Sequence, residues 1–107
     1  MNRGSLVTVA VSGDYGKPRP ALVVQSDAFE AIPSVTVLPL TSEIHSEHLV
    51  RITVQPSQNN GLNTVSQVMI DKAMTIPKAK VGGVIGQVDA ATMRAVSSAL
   101  GRFLGIL

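Results

Sequence analysis

Apolar residues alternate with polar or small ones along much of the chain. Over residues 6–11 the sequence LVTVAV sets Val7, Val9 and Val11 on one face and Thr8 on the other. A period of two is the mark of a half-buried strand. Residues 13–20 read as a loop, and 21–25 as a short Val-rich run suited to a central strand. Residues 26–33 form a connection with room for one helical turn. Residues 34–40 are β-branched and apolar, a third strand, with Pro39 near its end where a missing N–H is tolerated. Residues 41–47 are a polar loop. Over 48–55, Val50, Ile52 and Val54 alternate with Arg51 and Thr53, a half-exposed fourth strand. The stretch QPSQNNG over 55–61 is rich in turn formers. Over 64–71, Val68 and Ile70 oppose Gln67, Met69 and Asp71. Residues 74–76 continue the sheet, and 81–88 form a last strand weakened by Gly82, Gly83 and Gly86.

The period then changes. Asp89 is placed to cap a helix, since its carboxylate can accept the unpaired N–H groups of a first turn. Met93, Val96, Leu100, Phe103 and Leu107 follow at helical spacing, with Arg94 and Arg102 off that stripe. Gly101 and Gly105 weaken the helix end. The expected fold is mainly β: about five to seven short strands in a strongly curved, partly open barrel, with a C-terminal α-helix. Strands precede the helix rather than alternate with helices, which argues against a doubly wound sheet. Residues 1–107 read as one domain, without repeat or linker.

Composition narrows the function. Hydrophobic residues make up 45% and charged residues 15%, which excludes a disordered chain and points to a buried subunit interface. The absence of cysteine excludes disulfides and thiolate metal sites, and fits a reducing cytoplasm. A net charge of +2 is too small for a chain that coats nucleic acid, so anion binding must come from local placement. Tyr15, Phe29 and Phe103 are the whole aromatic set, too few for a base-stacking platform. The N-terminal MNRGSLVTVAV reads as a strand rather than a signal peptide. No apolar run has the length of a membrane span.

Few residues can carry chemistry. His45 and His48 flank Glu47 in a polar loop, and read as solvated side chains rather than metal ligands. The stretch GGVIG over 82–86 lacks the spacing and lysine of a phosphate loop, so it reads as close backbone packing. There is no nucleophile elbow. Two stretches remain. In GDYGKPRPALVVQSD, residues 13–27, Lys17 and Arg19 sit among prolines that stiffen the backbone. In LPLTS, residues 38–42, Thr41 and Ser42 end a buried strand. Taken singly, Arg19 is a surface cation and the hydroxyls cap a turn. Brought together at one end of the sheet, an arginine and two hydroxyls make a phosphate site.

Arg3–Gly4 before the first strand, RPALVVQSD at 19–27, VLPLTS at 37–42 and the closing helix resemble the MazF/PemK (Kid) family of toxin endoribonucleases. The resemblance spans nearly the whole chain. It implies an SH3-like barrel assembled as a cytoplasmic homodimer and paired with an antitoxin protein. It also implies cleavage of single-stranded RNA (mRNA) at short sequences, without metal or other cofactor. The RNA 2′-hydroxyl would attack the adjacent phosphorus, leaving a 2′,3′-cyclic phosphate and a 5′-hydroxyl. The family arginine falls on Arg19 and the family threonine on Thr41. Arg19 would stabilise charge on the phosphorane, since a guanidinium with a pKa above about 12 is a poor base. Thr41 would bond a non-bridging oxygen. Lys17 and Ser42 would assist in RNA binding, Gln67 would read a base edge, and Asp71 falls where some members place an acid. An acidic antitoxin segment would occupy the Arg19/Thr41 groove. The chain departs from the family with Ser5 in place of an acid, with Val68 and Met69 after Gln67, and with a short loop before Arg19.

The chain also resembles the CcdB gyrase poisons, through VQSD at 24–27, IPKAKVGGVIG at 76–86 and RFLGIL at 102–107. That resemblance implies DNA gyrase as partner and no catalysis. The poisons end in Trp-Gly-Ile, where this chain has Leu104, Gly105 and Ile106. Loss of a buried aromatic anchor, together with the Arg-Pro step, places the nuclease first.

Overall fold

The computed structural model describes residues 1–10, 17–46 and 49–107. The readings of Val11, Tyr15, Glu47, His48 and the loop over 13–16 lie outside these. The described residues form seven strands and one α-helix: β1 (Ser5–Ala10), β2 (Pro18–Val23), β3 (Ser34–Thr41), β4 (Arg51–Val54), β5 (Ser66–Met69), β6 (Met74–Pro77), β7 (Val81–Gln87) and α1 (Ala90–Phe103). All recorded pairings are antiparallel. The sheet runs β4-β5-β3-β2-β1-β7, and β6 pairs with the start of β3.

The segment 18–20, expected as loop, belongs to β2. Pro18, Arg19 and Pro20 lie opposite Ala10, Val9 and Thr8. Prolines at alternate positions place both missing donors on one edge of the strand. The recorded β2–β3 pairs end at Ala21–Pro39, so this part of β2 has β1 as its ladder partner and tolerates them. Between β2 and β3, Asp27–Phe29 form the expected helical turn, of the tight 3-10 kind, with Ser26 Oγ accepting from Ala28 N–H at 3.2 Å.

Alternation sends side chains to two apolar clusters. Leu6, Leu22, Leu38, Leu40, Val68 and Ile70 face one way, with Val96 and Ala99 of α1 among them. Val7, Val9, Ala21, Val23, Val35 and Val37 face the other, flanked by Met74, Ile76 and Val81. The sheet therefore buries residues on both faces, with the helix on one only.

Curvature brings the connection after β4 against the last strand. Gln87 N–H donates to Asn59 C=O at 2.8 Å. A Cβ on Gly86 would lie 2.3 Å from the Asn60 carbonyl carbon, and one on Gly61 2.1 Å from Ile85 O. Gly86 thus serves the close packing read from GGVIG. Gly83 differs, having open space where its Cβ would be.

The helix begins where expected: Asp89 accepts from Thr92 N–H at 2.7 Å. Hydrogen bonds from Thr92, through side chain and main chain, hold the Asp89 carboxyl below the usual carboxylate range. Its inward stripe is shorter than expected. Met93, Val96, Ala99 and Leu100 reach the core, whereas Phe103 and Leu107 are 50% and 79% exposed. The helix stops at Phe103, and the chain then turns through Gly105 at φ +76°. Ile106 N–H bonds Gly101 C=O at 2.9 Å and Gly105 N–H bonds Arg102 C=O at 3.1 Å, which closes the terminus in a Schellman motif. Gly105 therefore terminates the helix rather than merely weakening it. Among the described residues no helix is long and apolar enough to cross a membrane.

Candidate functional site

Arg19 and Thr41 lie on neighbouring strands. The β2–β3 register pairs Val23 with Val37 and Ala21 with Pro39. Continued two residues past the last recorded pair, Ala21–Pro39, this register would set Arg19 level with Thr41. Both share parity with Ala21, Val23 and Val37, so both belong to the sheet face opposite the helix. The level continues across the sheet: Val9 lies opposite Arg19, Gln67 opposite Thr41, and Thr53 opposite Gln67. Thr41, Gln67 and Thr53 form a polar row where the second apolar cluster ends, and Arg19 lies on the extension of the same register.

These residues differ in exposure. Arg19 is exposed, as is Lys17 two residues before it. Thr41 is half-buried and Ser42 exposed. Thr41 ends β3, and its Oγ1 accepts from Glu43 N–H at 3.1 Å, which starts the turn beyond the strand. The capping role of a terminal threonine is therefore realised. It leaves the hydroxyl proton to donate, because a hydroxyl carries one proton and two lone pairs.

Gln67 is 3% exposed. Its Oε1 accepts from His45 N–H at 2.9 Å, and its Nε2 donates to His45 C=O at 2.9 Å and to Thr53 Oγ1 at 3.1 Å. Both amide protons are engaged within the protein, so reading a base edge would require breaking these bonds. Asp71 stands outside the row, on the 3-10 turn Ile70–Lys72 after β5. It pairs with Arg51 of β4, and Lys72 Nζ lies 3.7 Å from its other oxygen. Partial burial acts to raise the Asp71 pKa. The Arg51 hydrogen bond, its own backbone N–H and the charges of Arg51 and Lys72 outweigh this and lower it.

Sequence reading missed Thr53 and Arg51 as partners. The signal for Thr53 was its alternation with Ile52 and Val54, which puts it on the polar side with Gln67. Nothing in the sequence marks the His45 main chain as a partner. Among the described residues no three of His, Asp and Glu gather as a metal-binding group. A concavity lies apart from the row, between the 55–60 connection and the start of α1, with only Thr53 in common. It has no arginine or lysine in its wall, so the row is the better candidate for an anionic ligand.

Comparison with known proteins gives a consistent picture. The model of PemK-like, MazF-like toxins of type II toxin–antitoxin systems matches residues 2–104. A probable endoribonuclease MazF of Mycolicibacterium smegmatis (strain ATCC 700084 / mc(2)155) is 43% identical over 107 residues, covering 99% of this chain and 98% of that protein. The Mycobacterium tuberculosis toxin MazF-mt6 superposes with a TM-score of 0.82 at 26% identity, covering 96% of this chain and 98% of that one. An endoribonuclease in complex with its cognate antitoxin, from a mycobacterial species, gives a TM-score of 0.84 at 24% identity, with 100% and 97% covered, a likeness of fold.

Proposed function

This chain belongs to the PemK-like, MazF-like family of type II toxin–antitoxin toxins, and we propose that it is a sequence-specific endoribonuclease acting on single-stranded RNA without a metal. The observation that carries this reading is the β2–β3 register, which, extended two residues beyond Ala21–Pro39, sets Arg19 level with Thr41 on one face of the sheet. The RNA 2′-oxygen attacks the neighbouring phosphorus. A P–O2′ bond forms, the P–O5′ bond breaks, the 2′-hydroxyl gives up its proton to solvent and O5′ takes one up. The products are a 2′,3′-cyclic phosphate and a 5′-hydroxyl. Arg19 stabilises the charge of the phosphorane, and the Thr41 proton bonds a non-bridging oxygen. Lys17 and Ser42, both exposed, add charge and a further donor along the RNA.

The protein acts as a cytoplasmic homodimer. A cognate antitoxin silences it by laying an acidic segment over Arg19 and Thr41. The exposed Phe103, Leu104, Ile106 and Leu107 support a buried subunit contact. The matching family model and the relatives lie on the nuclease branch, so the gyrase-poison reading is not favoured. The test is an RNA carrying a single 2′-deoxynucleotide at a mapped cut. Cleavage must vanish there and persist elsewhere. A cut at the deoxy position would exclude attack by the 2′-oxygen.

A further inference from the structure

Burying a primary amide costs free energy unless its polar atoms are bonded. Gln67 meets that condition through one residue above all, His45. Its Oε1 takes the His45 N–H and its Nε2 gives to the His45 C=O, each at 2.9 Å. One amide thus holds both main-chain groups of His45, as a partner strand would. Thr53 Oγ1 takes the second Nε2 proton at 3.1 Å and anchors the amide from β4. The segment held in this way is the chain leaving β3. Its other end is fixed by the Glu43 N–H bond to Thr41 Oγ1. That bond occupies a lone pair of the Thr41 hydroxyl and leaves its proton free to donate.

We infer that Gln67 is a positioning residue for RNA cleavage. By clamping the His45 main chain it sets the 42–46 turn, and through Glu43 N–H it orients the Thr41 hydroxyl toward the substrate phosphate. The inference rests on the function proposed above. It gives Gln67 a role through the protein's own backbone instead of through a base edge.

Gln67→Met keeps the length of the side chain and removes all three bonds; Gln67→Glu keeps an acceptor for His45 N–H and loses both donated bonds. With cleavable RNA, Gln67→Met should lower kcat about 10- to 100-fold, the scale of a small misplacement of a catalytic group. Gln67→Glu should fall between it and the wild type. Affinity for the same RNA with a 2′-deoxynucleotide at the cut should stay within about 3-fold, and the cut sequence should not change. Adding Gln67→Met to Thr41→Ala should cost nothing further, because the two act in one chain of contacts. Hydrogen exchange at the His45 amide should be slow in the wild type and fast in Gln67→Met.

An undiminished kcat in Gln67→Met, a changed cut sequence, lost affinity with kcat intact, or full additivity with Thr41→Ala would each overturn the inference alone. So would a His45 amide equally protected in both proteins. A wild-type protein that cuts no RNA would instead overturn the proposed function, and this catalytic role with it.

Discussion

Arg51 and Asp71 form an ion pair that joins β4 to the turn closing β5. Their side chains are 12% and 28% exposed, so the pair is shielded more than a surface bridge. Arg51 also donates to its neighbour Val50 C=O at 3.0 Å. Its Nε is buried without a hydrogen-bond partner among the described residues. The guanidinium therefore depends on Asp71 for much of its compensation.

Asp71→Asn should lower stability at neutral pH by about 1–2 kcal/mol, between the values for exposed and fully buried pairs. The Asp71 pKa is lowered in the folded state. Its contribution is therefore complete above the unfolded carboxylate range, near pH 4. It is lost as pH falls through the lower folded value. Urea unfolding of both proteins at neutral and strongly acid pH tests this. The gap between them should close in acid; an equal gap at both pH values would show that the charge of Asp71 is not the cause.

The glycines of GGVIG should separate cleanly. Gly86→Ala drives a methyl into Asn60 backbone, which cannot move as a side-chain tip can. It should cost about 2 kcal/mol or more. Gly83→Ala enters open space and should change stability by less than about 0.5 kcal/mol. Thermal unfolding of the two variants decides this, and equal losses would contradict the role given to the Asn60 contact.

Gly105→Ala places a β-carbon on a residue at φ +76°, at the turn that ends α1. The expected loss is about 1 kcal/mol, the usual cost of the left-handed region for a residue other than glycine. Gly105→Asn should recover part of it, since asparagine tolerates this region better. Chemical unfolding measures the order wild type, Asn, Ala; an alanine variant as stable as the wild type would contradict the motif.

Much of this architecture is legible in the sequence because local rules decided it. Alternation finds β1, and apolar, β-branched content finds β3 and β7, each to within a residue or two; Asp89 marks the helix start. The start of β2 was hidden because two prolines signal a loop, and only the lack of a second neighbour makes them acceptable in a strand. The helix stripe misled at Phe103 and Leu107, since spacing cannot show that Gly105 ends the helix first. Arg19 was legible as a candidate from the proline-stiffened stretch before a core strand, and Thr41 from its place at the end of one. Gln67 was named as a candidate through the resemblance, but its bonds to the main chain of His45, 22 positions away, were not legible.

The central claim is that Arg19 acts on RNA phosphate from the start of β2. The most direct measurement is cleavage of a long single-stranded RNA in EDTA by wild type, Arg19→Ala and Arg19→Lys, with ends mapped by primer extension. Discrete cuts bearing 5′-hydroxyls are expected from the wild type. Arg19→Ala should lose them by at least about 100-fold, the scale for losing one transition-state donor, while remaining folded. Arg19→Lys should recover only part, because a point charge cannot replace a planar fork of donors. Cleavage by Arg19→Ala at the wild-type rate would contradict the claim.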